Sequence, residues 1–385
     1  DPPWPAADAF CRTGNRGSIA ASAGTAVKRY LVIGGTLIAL LIVAMGLLRA
    51  VRSLDDPLNV SAPLRFKVPV GARFSRVAAE LGRDGVVAEP RVWIVYARWK
   101  GLASGIKAGE YEIEPGMTPR TLLEKMVSGQ VLLHSFTIVD GWRVQDVFDA
   151  MRQDPDIVST LPPRPTPDLM EKLSVTHGAG VGSQSVPHES ASAAAPVSYE
   201  GQFLPETYKF PSGTSDTDLL RQAHAALTRV LEAAWAKHDP TLPVQNAYDL
   251  LIMASIVEKE SGVPAELPKI AGLYWHRLKL GMRLQADPTL IYGLGDSYDG
   301  DLHTVDLRTD GPYNTYTRAG LPPTPIALAG AAVIEATAQP EKTDALFFVA
   351  SAKGDGTHVF SATLEEHNAA VAQYVAHQRQ KAQSR

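Results

Sequence analysis

The sequence predicts an α+β fold in three parts: an N-terminal transmembrane helix, a small α/β module and a larger α+β domain. Three observations carry that reading. Tyr30 to Leu48 is an uncharged apolar run of membrane-spanning length. Beyond it, short stretches of period-two alternation are interspersed with helical periodicities, the mark of strands and helices sharing a core. Finally, Leu251-Ile252-Met253-Ala254-Ser255-Ile256-Val257 is apolar on every face of a helix, so it needs a protein interior around it.

With 385 residues the chain is long enough for two or three domains with cores of their own. Its formal net charge of -4 and pI near 6.2 give no basic footprint for nucleic acid. Cys11 is the only cysteine, which leaves no internal disulfide and no thiolate cage. The ten histidines show no HExxH or comparable ligand spacing. No metal is expected.

Lys28 and Arg29 precede the apolar run, Arg49 and Arg52 follow it, and no small-residue cleavage site comes after. An uncleaved anchor spanning residues 30–48 is therefore expected. Residues 1–29, rich in Ala, Gly, Ser and Pro, are expected to form a disordered cytoplasmic tail, with the rest of the chain outside the membrane. Residues 49–62 read as a linker.

The small module covers residues 63–131. Leu64 to Val68 alternates as a half-buried strand and turns at Pro69-Val70-Gly71. Phe74, Val77, Ala78 and Leu81 follow helical spacing, and Pro90 to Trp99 is a second helix entered through a proline. Ala108 to Ile113 is a short strand and Thr121 to Met126 a third helix. Nothing here looks catalytic.

The larger domain covers residues 132–385. Leu132 to Val139 reads as a strand, turned at Asp140-Gly141 into an amphipathic helix. Residues 154–198 change abruptly to Pro, Ser, Ala and Gly and are expected to be a mobile surface insertion without a core. Aromatics, an acid and two prolines then concentrate in Tyr199 to Pro211. Such a stretch suits the apolar face and hydroxyl rim of a sugar, or a loop packed on a core through its aromatics. Helices follow at Asp216 to Lys237, Leu267 to Leu280 and Gly330 to Ala338. A hairpin joins Ala345 to Ala350 with His358 to Phe360 through Lys353-Gly354-Asp355-Gly356. Thr363 and Glu366 form a capping box for the last helix. His358 and His367 read as structural.

Glu258 and Glu260 end the apolar helix, ahead of Gly262. Helical spacing aligns Glu260 with Met253, Ile256 and Val257, and Glu258 with Leu251, Ala254 and Ser255, so periodicity does not choose between them. At a helix C-terminus, burial and the negative end of the dipole both favour a neutral carboxyl. Such an acid can protonate a glycosidic oxygen. Two solvated surface glutamates are the plain alternative. Asp287, held before Pro288, is the candidate second acid, or else the cap of a helix from Pro288 to Tyr292. In Tyr313-Asn314-Thr315-Tyr316 the tyrosines are expected on one side of an extended segment and Asn314 on the other. The prolines of Gly320 to Ile326 stiffen the loop that follows.

The phrases EGQFLPETY, ASIVEKES, GMRLQADPTLIYG, YNTY, GLPPTPI and FFVA with GTHVFSATLEEHN run in one order between Glu200 and Asn368. This set resembles the YceG-like family of endolytic murein lytic transglycosylases. VPVGARFSRVAAEL with AGEY resembles the LysM-like module of the same family, which implies carbohydrate-chain binding. The resemblance implies Glu260, the second glutamate of the Glu-Lys-Glu triplet, as the catalytic acid. It implies non-hydrolytic cleavage of the MurNAc-β-1,4-GlcNAc bond within a strand, leaving a 1,6-anhydro-MurNAc end and needing no cofactor. Glu206, Gln285, Asp287, Tyr313, Asn314 and Tyr316 are then the candidates for holding the glycan. It further implies a single-pass protein of the bacterial inner membrane, its catalytic part periplasmic, acting on peptidoglycan beside the polymerases and terminating their strands. The rivals are a hydrolytic muramidase using Glu260 and Asp287, and a wall-binding adaptor without activity. The chain departs from the family pattern in the 154–198 insertion and at Gln202 and Leu204.

Overall fold

A computed structural model of the chain describes residues 18–173 and 198–383. Most of the expected tail and residues 174–197 of the expected insertion lie outside the described residues. The chain divides into two compact units after Leu132.

The N-terminal unit begins with α1 (Ser18–Arg52), followed by β1 (Leu64–Val68), α2 (Phe74–Arg83), α3 (Pro90–Trp99), β2 (Gly109–Ile113) and α4 (Pro119–Ser128). Gly34–Arg52 of α1 is long and apolar enough to cross a membrane, with a mean hydropathy of 2.1 and no part buried against protein. Strands β1 and β2 pair antiparallel, with Leu64 opposite Ile113 and Val68 opposite Gly109. The helical spacing of Phe74, Val77, Ala78 and Leu81 turns all four inward, where Phe74 meets the edge of Trp93 at 4.8 Å. Thr118 and Thr121 close a capping box at the start of α4, and Gly129 ends it at φ 77. The expected linker is not slack. Leu54 and Leu58 are buried in this core, and the Leu58 N–H donates to the Met117 carbonyl at 2.7 Å. Two leucines four residues apart gain enough from an adjacent apolar surface to dock the segment.

The C-terminal unit contains β3 (Leu133–Thr137), α5 (Val144–Gln153), β4 (Ile157–Val158), α6 (Leu169–Lys172), β5 (Thr207–Pro211), β6 (Thr214–Ser215), α7 (Asp216–Ala236), α8 (Ala247–Glu260), α9 (Leu267–Lys279), α10 (Asp287–Leu294), α11 (Thr304–Arg308), α12 (Ala331–Ala338), β7 (Phe347–Ala350), β8 (His358–Ser361) and α13 (Leu364–Gln383). Three two-stranded sheets flank the helices: β3 with β5 and β7 with β8 antiparallel, β4 with β6 parallel. Helix α8 is the hub, buried from Leu250 to Val257 and packed on α7, α9, α10 and α12.

Two expectations narrow here. Phe203, Tyr208 and Phe210 are buried in the core, so these aromatics pack the fold and do not line a sugar site. Gln202 and Leu204, where the chain departs from the family pattern, are buried as well. In residues 154–173, Ile157, Leu169, Met170 and Leu173 also join the core. A prolyl and seryl composition hides a few well-spaced apolar residues that a neighbouring core can accept. The capping box of α13 is present: Thr363 Oγ1 accepts from the Glu366 N–H at 3.2 Å, and the Glu366 carboxylate accepts from the Thr363 N–H at 3.3 Å.

Candidate active site

Glu260 is the last residue of α8, and Ser261 leaves the helix in extended backbone (φ -149, ψ 134). Tyr274 of α9, 2 % exposed, donates its hydroxyl to Glu260 Oε1 at 2.5 Å. Arg277, one turn further along α9, is also buried and lies within electrostatic reach of the same carboxyl. Its guanidinium donates to the Leu346 carbonyl at 2.6 Å and the Leu284 carbonyl at 2.5 Å, and lies 5.3 Å over the Phe347 ring. Burial pushes the Glu260 carboxyl up to about 7; the Tyr274 hydrogen bond pulls it down, the nearby Asp287 charge pushes it up, and Arg277 pulls it down. Burial also holds the Tyr274 hydroxyl far above its ordinary value, which keeps it a donor.

Glu258 has different partners. Its Oε2 accepts the N–H of Gly330, the cap residue of α12, at 2.9 Å. A Cβ on Gly330 would press on the Asp140 carboxylate and approach Glu258, so the glycine leaves room for two acids at one helix start. Burial raises both carboxyls above their ordinary values, Asp140 adding to the rise at Glu258. The glutamates that helical spacing leaves equivalent are thus separated by their surroundings: Glu258 holds a helix N-terminus, while Glu260 accepts a phenol and lies within electrostatic reach of a guanidinium.

Asp287 is the first residue of α10, with Ala286 in the cap position and no side-chain cap. The helix starts one residue earlier than expected, which takes the Asp287 side chain out of the capping geometry. Its carboxylate instead accepts the Tyr316 hydroxyl. Residues 312–317 form consecutive turns rather than an extended segment. Tyr313 and Tyr316 are three positions apart, a spacing that puts them on opposite faces even of an extended segment, and in the turns they diverge as well. Tyr313 packs edge-on to Tyr292 at 4.9 Å and shares a 2.8 Å hydrogen bond with Thr324 Oγ1.

Asn314 is 2 % exposed, and its amide is spent inside the loop. It donates to the carbonyls of Asp306 at 3.0 Å and Thr309 at 2.7 Å, and accepts from the Tyr316 N–H at 2.9 Å. It places Tyr316 from behind. Thr315, which the sequence did not single out, ties this loop to α10. Its carbonyl accepts the Gln285 N–H at 3.1 Å, and its Oγ1 accepts the Ala286 N–H at 3.0 Å and pairs with Thr289 Oγ1 at 2.9 Å. Gln285 itself has φ 51, unlike every other described non-glycine residue. Its side chain is exposed beside Asp287 in the chain. Glu206 is exposed just before β5, and among the described contacts it joins none of those around Glu260.

Sequence reasoning missed a second buried acid. Glu200 is 4 % exposed, with Oε1 accepting the Val144 N–H at 3.0 Å and Oε2 accepting the Tyr292 hydroxyl at 3.3 Å. Burial raises its carboxyl to about 7 against the pull of those donors. The available signal was Gly201. Its φ of 77 and the absence of room for a Cβ against Pro325 mark a close backbone approach at Glu200.

Around Glu260, then, one near-neutral acid stands with a phenol, a buried guanidinium and a second carboxylate. That set can move a proton at neutral pH and stabilise positive charge developing nearby.

The YceG-like family matches this chain over residues 66–373. The chain is 30% identical over 342 residues to the endolytic murein transglycosylase of Bacillus subtilis (strain 168), covering 86% of this chain and 90% of that protein. It is 26% identical over 340 residues to the endolytic murein transglycosylase of Streptococcus pneumoniae serotype 2, covering 80% of this chain and 58% of that longer protein. A crystal structure of a yceG-like protein from Listeria monocytogenes is similar at a TM-score of 0.49 and 27% identity, covering 80% of this chain and 99% of that one. The chain belongs to the YceG-like family.

Proposed function

We propose that this protein is an endolytic peptidoglycan lytic transglycosylase in which Glu260 is both acid and base. The observation that carries the reading is a partly buried carboxyl, raised to about 7, that accepts a phenol on one oxygen and lies near Arg277 and Asp287. The protonated carboxyl gives its proton to the oxygen that bridges MurNAc C1 to GlcNAc. As that C–O bond breaks, the sugar gains oxocarbenium character, which the Asp287 carboxylate offsets. The Glu260 carboxylate then removes the proton of the MurNAc C6 hydroxyl, whose oxygen bonds to C1. No water is consumed, and the acid is restored. Gln285 and Tyr316 flank Asp287 and are the groups best placed to orient the sugar. Tyr313 and Asn314 act through the loop, and Glu206 would touch a more distant part of the strand.

The apolar, unburied span of α1 supports a single-pass anchor, with the two units on the periplasmic side of the inner membrane. An anchored endolytic enzyme meets strands close to where polymerases extend them, so its cuts set strand length. An open cavity of about 480 Å³ in the N-terminal unit, with Phe74 and Ile94 in its wall and Arg73 and Arg98 beside them, supports glycan binding by a LysM-like module.

Digestion of uncrosslinked glycan strands in ¹⁸O-water tests the reaction. Products lighter by one water and free of label are expected. Reducing ends carrying label would assign hydrolysis instead, with Asp287 activating water.

A further inference from the structure

Val95 and Trp99 on the exposed face of α3 have no part in the site or in the cavity bordered by Ile94 and Arg98. Val95 and Trp99, one turn apart, are 66% and 76% exposed, although both are large and apolar. Arg91, Arg98 and Lys100 are exposed around them, and the Lys100 ammonium sits 4.9 Å over the Trp99 ring. The helix itself contains no acidic residue.

This face is tied to the end of α1 by a short chain of contacts. The last residue of α1 is Arg52, and three residues on, Asp55 takes Arg120 in a bidentate pair at 2.8 and 3.1 Å. Arg120 donates to the Tyr96 hydroxyl at 2.6 Å and lies 4.8 Å over its ring, and the Tyr96 ring is 6.5 Å from that of Trp99. Leu54 and Leu58 are buried in the same core, so the joint has little slack. An apolar stripe that contains tryptophan, ringed by cations and held within a few side chains of a membrane exit, has the composition of an interfacial segment. The acids nearest in the chain are Glu89 at the N-cap of α3, Asp55, which pairs with Arg120, and Asp56; Glu124 follows Arg120 by one turn on α4.

We infer that Val95 and Trp99 of α3 seat the N-terminal unit on the anionic headgroup layer of the leaflet from which α1 emerges. The inference rests on the proposed anchor and adds a second, peripheral contact to it. Basic side chains so placed attract anionic lipid while the apolar pair enters the headgroup boundary.

The test uses the full chain in lipid nanodiscs, on a Cys11→Ser background, with an environment-sensitive fluorophore on Ile42→Cys, Val95→Cys or Trp99→Cys. All three positions are exposed, so folding is not at risk. With a quencher carried on the lipid chains, emission is expected to be lost at all three positions. At 95 and 99 the loss should depend on anionic lipid and disappear in purely zwitterionic discs. Loss at 42, with 95 and 99 quenched only by iodide in the buffer, would overturn the inference and leave the anchor standing. No loss at 42 would overturn both. Loss at 95 and 99 that ignores lipid charge would overturn the headgroup assignment.

Discussion

Tyr274 and Glu260 meet across 2.5 Å where α9 passes the end of α8, the phenol hydroxyl donating to Glu260 Oε1. Tyr274 is a donor, so Glu260 must offer Oε1 as an acceptor. With Oε1 taken up by the phenol, Oε2 is the oxygen expected to carry the proton that moves to a leaving oxygen.

The two glutamates of the triplet are expected to separate cleanly in function. Glu260→Gln keeps the size and loses the proton, so glycan cleavage should fall at least about 10³-fold with an unchanged melting temperature. Glu258→Gln still accepts the Gly330 N–H through its amide oxygen, so activity should stay within a few-fold of the parent, at a stability cost of about 1 kcal/mol or less. Strand cleavage followed by mass spectrometry, beside thermal melts, reads both. Loss of activity in the Glu258 variant alone would reverse the assignment.

The rate should carry the titration of Glu260. Only the protonated form starts the reaction, so kcat/KM is expected to fall as pH rises through about 7. The Tyr274 hydrogen bond favours the ionised carboxylate, so Tyr274→Phe should move that limb to higher pH while lowering kcat. A lowered kcat with the limb in its original place would mean that Tyr274 merely packs.

Glu200 predicts a pH-dependent stability outside the catalytic step. Its folded value of about 7 stands above an ordinary 4.5, so between those values the folded state holds a proton that the unfolded chain has lost. Stability from this group is fully present below pH 4.5 and is lost as pH rises towards 7, by at most on the order of 3 kcal/mol. Glu260 acts in the same direction, so Glu200→Gln should remove part of the decline rather than all of it. Denaturant unfolding at pH 5 and pH 8 measures the difference, and an unaltered decline in the variant would refute the assignment.

The contrast between Glu200 and Glu260 shows what the sequence could convey. Elements with strong periodicity were legible almost to the residue, as with Leu64–Val68 and Pro90–Trp99, because one buried face imposes a visible spacing. From spacing alone the candidate acid could be narrowed only to Glu258 or Glu260, since a helix end announces itself but its partners do not. Tyr274 and Arg277 lie in α9, where they look like ordinary helix residues; only the packing of α9 on α8 brings them to Glu260. Glu200 was hidden because a buried acid and a surface acid read alike until the backbone around them is placed. The turns from Tyr313 to Tyr316 were not legible because turns held by Asn314 and Thr315 have no period to read, and the tyrosines, three positions apart, could not have shared a face of a strand in any case.

Arg277 is expected to be costly to remove and informative when it is. Arg277→Met leaves the Leu284 and Leu346 carbonyls without their donor, which should destabilise the fold by about 2 to 4 kcal/mol. It also withdraws the positive charge that restrains the Glu260 carboxyl, so the alkaline limb of kcat/KM should move up. Arg277→Lys keeps the charge and should hold the limb close to its original place even if stability falls. A limb that moves equally in both variants would show that packing, not charge, sets it.

Gln285 tests whether backbone strain serves the site. A residue with a side chain at φ 51 costs about 1 to 2 kcal/mol relative to the ordinary helical region, and glycine escapes most of that cost. Gln285→Gly should therefore be more stable than Gln285→Ala by about 1 kcal/mol, since neither keeps the amide and only alanine keeps a Cβ. If the amide holds the glycan, both variants should lose cleavage to a similar extent and mainly through KM. If the loop shape alone matters, Gln285→Ala, which keeps the Cβ and the parent backbone, should retain near-parent cleavage, and the glycan-holding role of Gln285 would be withdrawn.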